Sequence, residues 1–215
     1  MFVEKINRII QSYERSMSSL MLTVCITFIV FVSFVLFYTM YDKTKKRLVV
    51  GNLVRLFTLQ EGLDKLVVEM NKAISLSGLT VLALTFFPRY KNIRKMLLFS
   101  AMIQLWLHAG YSVFRYYGSK KIPVVSAFFK MRAGDSIKKL SVIVGIIAQV
   151  VLSLGYLSYI PYSRLAFFGL AFSNLHFYTM EIDHKYILRV RPYAYIVFPL
   201  SLLGALYGTK YLWRY

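Results

Sequence analysis

The chain has 215 residues, of which 58% are hydrophobic and only 17% are charged. A water-soluble protein carries about 45–50% apolar and about 25% charged residues, so this composition excludes a soluble globular domain and a disordered chain. The 27 Lys and Arg residues outnumber the 9 Asp and Glu residues, which gives a formal net charge of +18. Basic loops beside membrane spans are attracted to anionic lipid head groups, so this charge predicts lipid partners and no nucleic acid.

The first predicted elements are an interfacial helix over residues 2–15 and a membrane span over residues 18–41. Apolar residues recur at helical spacing in 2–15, with basic residues between them, as is typical of a helix lying on a membrane surface. Residues 18–41 carry no charge and are long enough to cross a bilayer. They include the single cysteine, Cys25, so an intrachain disulfide and a cysteine-based zinc site are excluded.

The next part of the chain predicts a surface helix over residues 48–60 and a second span over residues 67–87. Apolar residues recur every three or four positions here, and Gly62 divides the pattern. The uncharged part of the span is shorter than the roughly 20 residues that crossing requires. The second span must therefore tolerate Glu69 and Lys72 near one end, or else it is re-entrant.

Four more spans are predicted over residues 96–114, 140–160, 165–180 and 193–211. The predicted fold class is an all-α integral membrane protein, a polytopic helical bundle with six, alternatively five, transmembrane helices and short interfacial amphipathic helices. Six spans of roughly 20 residues occupy over half the chain, so residues 1–215 form a single membrane domain. The multi-pass pattern, without an N-glycosylation site, predicts the endoplasmic reticulum or another internal eukaryotic membrane.

Three of the predicted spans carry polar side chains along one face, where hydrocarbon offers them no partner. The third has Gln104 and His108, the fourth has Gln149, and the fifth has Asn174 and His176. We expect these faces to meet in a polar intramembrane pocket around the two histidines. The alternative is that each side chain forms an ordinary hydrogen bond between helices, which contributes about 0.6 kcal/mol on average.

The densest group of titratable residues lies between His176 and Lys185. Its spacing does not match the His-Glu-x-x-His zinc motif, so neither a metal nor another cofactor is predicted. His176 and Glu181 have a His-x4-Glu spacing that resembles the His-x4-Asp motif of glycerolipid acyltransferases, in which a carboxylate orients a basic histidine. Glu replaces Asp here, and no other motif of that family is present. The candidate catalytic residues are therefore His108, His176 and Glu181, without a motif that identifies a reaction.

Arg189 and Arg191 follow this group and have the chemistry to bind the phosphate of a lipid head group. The chain lacks a phosphate-binding loop, a nucleophile elbow and a Cys-x-x-Cys pair, which disfavours an ATP-driven pump, a serine hydrolase and a thiol redox enzyme. We expect a small polytopic protein that binds lipid or organises the membrane, for example as an accessory subunit alongside other membrane subunits. The alternative is an integral-membrane enzyme or facilitator for a lipid or small substrate, acting through the pocket around His108 and His176.

Two pairs of small residues are spaced to let helices approach closely. Gly204 and Gly208 form a Gly-x-x-x-Gly face in the last span, and Ser141 and Gly145 form a similar pair in the fourth. Each helix of a six-helix chain has neighbours within the chain, so we expect these pairs to serve internal packing rather than a homodimer.

Overall fold

The computed structural model describes residues 2–42, 47–48, 63–120, 136–157, 162–181 and 194–210. These residues form six α-helices: α1 (Phe2–Met40), α2 (Leu63–Leu84), α3 (Arg94–Lys120), α4 (Ser136–Leu157), α5 (Tyr162–Glu181) and α6 (Ala194–Thr209). A 3-10 helix, Pro88–Ile93, joins α2 to α3. The two-residue strands β1 (Tyr41–Asp42) and β2 (Arg47–Leu48) form one antiparallel pair. The predicted all-helical class is confirmed for the described residues apart from this pair.

Helix α1 is continuous over the predicted interfacial helix and the predicted first span. Neither Gly nor Pro lies between residues 15 and 18, so nothing in the local sequence ends the helix there. The predicted surface helix over 48–60 lies outside the described residues, except for Leu48 in β2. The structure therefore shows one long N-terminal helix where the sequence pattern indicated two segments.

Four of the described helices contain a segment long and apolar enough to cross a membrane: Glu14–Phe37, Leu66–Leu84, Arg94–Phe114 and Leu140–Leu157. These segments fall on the first four predicted spans and are compatible with an integral membrane protein. Helix α5 does not meet the same criteria of length and composition, and the described part of α6 has 16 residues, fewer than the roughly 20 that crossing requires. The fifth and sixth spans stay predictions.

Helix α2 lies at the centre of the described bundle, where it contacts α1, α3, α5 and α6. Half of its candidate span is buried inside the protein. Near its start, the Lys72 ammonium lies 2.9 Å from the Glu69 carboxylate, so the two charges near the end of this span neutralise each other. The segment is a continuous helix, which favours the first of the two alternatives for the second span over a re-entrant loop.

The helices α4 and α5 form an antiparallel hairpin with closely spaced backbones. Near one end Gly155 lies against Leu165, in the middle Leu152 contacts Gly169, and near the other end Gly145 lies against His176. The two helices therefore run in opposite directions. Because a Cβ atom at any of these glycines would overlap the opposite helix, the small residues set how closely the two helices pack.

Helix α6 packs inside the bundle through its Gly-x-x-x-Gly face. A Cβ atom on Gly204 would lie 2.8 Å from the carbonyl oxygen of Ala83 in α2, and one on Gly208 would lie 2.7 Å from the ring of Phe167 in α5. The predicted use of this pair in internal packing is therefore confirmed. Gly208 also lies against Phe86, so α6 runs parallel to α2.

Large apolar side chains cover much of the outer surface of the bundle. Met21, Phe28 and Ile29 on α1 are each more than 60% exposed, and similar residues project from α3, α4 and α6. In water such a surface would be strongly unfavourable, whereas hydrocarbon accommodates it. The distribution is the one expected for helices that face lipid.

Candidate functional site: a polar interior and a basic end

The polar face of α3 is directed mainly toward α2 and α1. His108 Nδ1 lies 3.2 Å from the backbone carbonyl oxygen of Asn71, and the Asn71 amide donates to Ser112 Oγ at 3.2 Å. Because a carbonyl oxygen only accepts, His108 Nδ1 must carry the proton of this hydrogen bond. At the other end of the face, Ser100 Oγ and Thr27 Oγ1 of α1 lie 2.9 Å apart.

His176 on α5 is held by α4. Its Nδ1 lies 2.7 Å from the carbonyl oxygen of Ser141, and Thr179 Oγ1 donates to Ser141 Oγ at 2.7 Å. A Cβ atom on Gly145 would lie 2.8 Å from His176 Nδ1, so only glycine leaves room for the imidazole against the α4 backbone. The predicted small pair of Ser141 and Gly145 therefore accommodates a polar side chain of the next helix.

The two histidines lie at different helix interfaces, His108 between α2 and α3 and His176 between α4 and α5. Each has its own hydrogen-bond partner on the helix that precedes it, Asn71 in one case and Ser141 in the other. The Nδ1 atoms of both histidines therefore form hydrogen bonds between neighbouring helices, which is the alternative to a shared pocket.

The polar face of α4 is directed toward α3. Trp106 Nε1 donates to Ser153 Oγ at 2.9 Å, and the ring of Tyr156 stacks on Phe99 with 5.2 Å between centroids. Gln149 lies one turn before Ser153 and is 8% exposed. The predicted binding residue Gln149 is thus buried next to α3 rather than open to lipid.

Several oxygen atoms inside the bundle are buried and have no hydrogen-bond partner among the described residues. They are Asn71 Oδ1, Ser77 Oγ, Thr80 Oγ1, Gln104 Oε1, Gln149 Oε1 and Asn174 Oδ1. Three of the predicted binding residues are in this set, although Gln104 also donates through Nε2 to Ser100 at 3.5 Å. Leaving one such group unpaired costs about 1–3 kcal/mol, so the set is a large cost relative to a total stability of about 5–15 kcal/mol.

The remaining predicted site residues lie at the edge of the described structure or beyond it. Glu181 is the last residue of α5, and Arg189 and Arg191 lie outside the described residues. Within the part of the chain that the structure describes, no three His, Cys, Asp or Glu side chains are grouped to hold a metal ion. The structure thus leaves the proposed pairing of Glu181 with a histidine, and the two-arginine site, untested.

The structure shows a second candidate site that the sequence pattern did not single out. The C-terminal ends of α2, α4 and α6 meet the N-terminal ends of α3 and α5, as the contacts of Gly155 with Leu165 and of Gly208 with Phe86 show. The charged residues in the segments that meet there, 84–95, 155–157, 162–165 and 205–210, are all basic. They are Arg89, Lys91, Arg94, Lys95, Arg164 and Lys210, and we refer to these six residues as the basic end.

Aromatic rings and a backbone carbonyl hold part of the basic end in place. The Lys95 ammonium lies 6.0 Å from the ring centre of Tyr156, and the Lys210 ammonium lies 5.7 Å from that of Tyr207. Both distances allow a cation–π attraction. Arg94 is only 8% exposed, and its Nε donates to the carbonyl oxygen of Thr85 at 2.6 Å. Arg94 therefore ties the end of α2 to the start of α3, while Arg89 and Lys95 are exposed.

The basic end was not predicted because its residues are far apart in sequence. Arg89 and Lys95 are close to each other in the sequence, but the end of α6 that carries Lys210 comes near them only when α6 packs along α2. Asn71 was missed for a related reason, since it lies outside the polar faces that the sequence indicated. Its amide side chain within the predicted second span is the signal that could have suggested it.

The comparisons with known proteins identify no relative. No protein-family model matches the chain, and no curated protein or solved structure shows significant similarity to it.

Proposed function

We propose that this chain is a multi-pass membrane protein that binds anionic lipid head groups at its basic end and organises the membrane around it. The observation that carries the proposal is the charge segregation: the segments of α2 to α6 and of the 3-10 helix that meet at this end contribute six basic residues and no acidic one. At the opposite end the charges are mixed, as in the Glu69–Lys72 pair. A surface that carries only basic charges at the edge of a membrane would bind the phosphate group of a lipid.

Three further features support lipid at this position. Helix α3 and helix α5 both begin at the basic end and carry no acidic residue in their first turns, so their N-terminal dipoles also favour an anion. Tyr156 and Tyr207 lie beside the lysines, and tyrosine is enriched where a membrane meets water. Exposed apolar side chains continue from this end along the bundle, where acyl chains would lie.

The proposal includes six spans. Helix α5 runs antiparallel to α4 along its length, and α6 runs parallel to α2, so the helices of the fifth and sixth predicted spans each lie beside a candidate span. An internal eukaryotic membrane and a role as an accessory subunit remain part of the proposal. They rest on the abundance of basic and interfacial sequence and on the absence of a catalytic motif from the chain.

The test is a comparison of two variants that lose the same charge at opposite ends. The first replaces Arg89, Lys95 and Lys210 by Gln, and the control replaces Lys120, Lys138 and Lys139 by Gln. Each protein is reconstituted in nanodiscs of phosphatidylcholine with added phosphatidylserine, and retained lipids are counted by native mass spectrometry. At about 1 kcal/mol for each basic residue, the first variant should bind phosphatidylserine about 100-fold more weakly than the wild type.

The control variant should keep most of its phosphatidylserine. Equal losses in both variants would show that net charge alone attracts the lipid, and equal retention would show that the basic end does not bind it. Either result removes the proposed site.

A second candidate function is an integral-membrane enzyme or facilitator that uses His108 and His176. The observation in its favour is that Gln104, Gln149 and Asn174, on the polar faces of the helices that form this interior, have buried amide oxygens with no hydrogen-bond partner among the described residues. Native mass spectrometry of protein extracted from its own membrane tests it. A stoichiometric small ligand that is lost from both His108→Asn and His176→Asn, while the proteins elute as the wild type does, would favour this function over lipid organisation alone.

A further inference from the structure

Long side chains, rather than small ones, join α3 to α4. Trp106 Nε1 of α3 donates to Ser153 Oγ of α4 at 2.9 Å. One or two turns closer to the basic end, the rings of Phe99 and Tyr156 stack with 5.2 Å between their centres. In the α4–α5 hairpin, by contrast, glycines lie directly against the opposite helix. The backbones of α3 and α4 therefore lie farther apart than those of α4 and α5.

The gap between α3 and α4 is open on the outer surface of the bundle. Gly110 lies one turn after Trp106 on the same face of α3, and a Cβ atom on it would have no heavy atom within 4 Å. The large apolar side chains beside the gap are each between 41% and 48% exposed: Phe99, Ile103 and Trp106 on α3, and Val150 on α4. We refer to the surface that these four side chains line as the α3–α4 groove.

A positive charge lies at one end of the α3–α4 groove. Lys95 is exposed one turn before Phe99, and its ammonium lies 6.0 Å from the ring centre of Tyr156. Beyond this end the groove is uncharged, since residues 96–114 of α3 and 140–157 of α4 include no Lys, Arg, Asp or Glu. A surface that is apolar along its length and positive at its end matches the polarity of an anionic phospholipid.

The length of the α3–α4 groove matches one leaflet of a bilayer. At 1.5 Å per residue, α3 rises about 16 Å from Lys95 to Trp106, close to half of a hydrocarbon core of about 30 Å. With Lys95 at the membrane surface, Trp106 therefore lies near the middle of the bilayer rather than in an interfacial aromatic belt. The acyl chain of a lipid whose phosphate lies at Lys95 would end near the Trp106 ring.

We propose that the α3–α4 groove binds an acyl chain of an anionic phospholipid whose phosphate group lies at Lys95. This inference rests on the proposed head-group function and assigns it one position among the six residues of the basic end. Lys210 provides the comparison at the same end, because it is carried by α6, which packs on α2 and α5.

The fluorescence of Trp106 tests whether the acyl chain lies in the groove. The chain has two tryptophans, so Trp213→Phe leaves Trp106 as the single emitter. The protein is placed in nanodiscs of phosphatidylcholine with a rising fraction of phosphatidylserine that carries bromine in the lower half of its acyl chains. A matched series has the same fraction of brominated phosphatidylcholine. Because bromine quenches tryptophan at short range, the brominated phosphatidylserine should quench Trp106 more strongly than the brominated phosphatidylcholine.

Substitutions of single lysines then test the position of the head group. Lys95→Gln should raise the phosphatidylserine fraction needed for half of the quenching about fivefold, which is equivalent to about 1 kcal/mol for one basic residue. Lys95→Arg keeps the charge and should behave as the wild type does. Lys210→Gln removes the same charge from another helix and should also leave the quenching curve unchanged.

Equal quenching by the two brominated lipids in the wild type would overturn the groove site. The same conclusion would follow if the excess quenching by phosphatidylserine survived Lys95→Gln, or if Lys210→Gln reduced it equally. The retention of phosphatidylserine in native mass spectrometry tests the head-group function separately. A loss of this lipid from the variant with three Gln substitutions at the basic end, without excess quenching in the wild type, would overturn the groove site alone.

Discussion

Replacing Gly145 by Ala should separate α4 from α5 at one point. The added Cβ would lie 2.8 Å from His176 Nδ1 and 3.0 Å from Cε1, whereas ordinary contact begins near 3.4 Å. The imidazole must therefore move by about 0.6 Å away from α4, which lengthens its 2.7 Å hydrogen bond to the Ser141 carbonyl toward 3.3 Å. That distance lies at the limit of a useful hydrogen bond.

The expected cost follows from these displacements. Overpacking of this kind costs about 1–3 kcal/mol, and the weakened hydrogen bond adds about 0.5–1.5 kcal/mol. Ala is a better helix former than Gly by up to about 1 kcal/mol, which offsets part of the loss. We expect a net destabilisation of about 1–3 kcal/mol, measured as the free energy of unfolding in mixed micelles with increasing dodecyl sulfate.

Gly110→Ala is the matched control, because a Cβ atom at Gly110 has no heavy atom within 4 Å. It should leave stability unchanged or raise it slightly. The double variant with His176→Ala removes the ring that the methyl group added at position 145 would strike, so the two substitutions should couple by at least about 1 kcal/mol. Equal stability of the Gly145 and Gly110 variants, or strict additivity with His176→Ala, would refute the close contact.

Two other substitutions test contacts that hold the bundle together. Gly204→Ala should destabilise the protein by at least about 2 kcal/mol, since the new Cβ would lie 2.8 Å from the backbone oxygen of Ala83, which cannot rotate away. The free energy of unfolding is measured in dodecyl sulfate as for Gly145→Ala. An unchanged free energy would contradict the packing of α6 on α2. Arg94→Lys should lower Tm by about 3–10 °C, because Lys has a methylene group where the Arg94 Nε–H donates to the Thr85 carbonyl oxygen at the end of α2. An unchanged melting curve would show that this hydrogen bond does not stabilise the turn.

Much of the helix order could be predicted from the sequence because each apolar segment is long and bounded by charge. The four candidate spans begin and end within a few residues of the predicted ones. The break between the interfacial helix and the first span was wrong as a boundary, since no glycine or proline interrupts α1. The amphipathic pattern indicated which residues face a surface, but it did not carry information on whether the helix stops.

The site could be predicted only in part, because its residues pair across elements. The polar face through Gln104 and His108 was visible as helical spacing, and the structure buries it against α2. The partner of His108, however, is the backbone carbonyl oxygen of Asn71. Every residue has such an oxygen, so the residue type does not identify this acceptor. Gly155 was missed as a packing residue because it faces the other helix of the hairpin and has no small residue four positions away in its own helix. Gly169 was missed although Ser173 lies four positions after it.

The close pairing of α4 and α5 also bears on how the chain enters a membrane during synthesis. Helix α5 carries Asn174, His176 and Thr179, so its transfer by itself from the aqueous channel of the translocon into the bilayer is unfavourable. Helix α4 is strongly apolar, and it supplies the carbonyl and hydroxyl of Ser141 that His176 and Thr179 use. The chain between Leu157 and Tyr162 is short, so the first helix is still nearby when the second emerges. The two helices should therefore insert as one unit, and a fusion ending after α5 should integrate only when α4 precedes it.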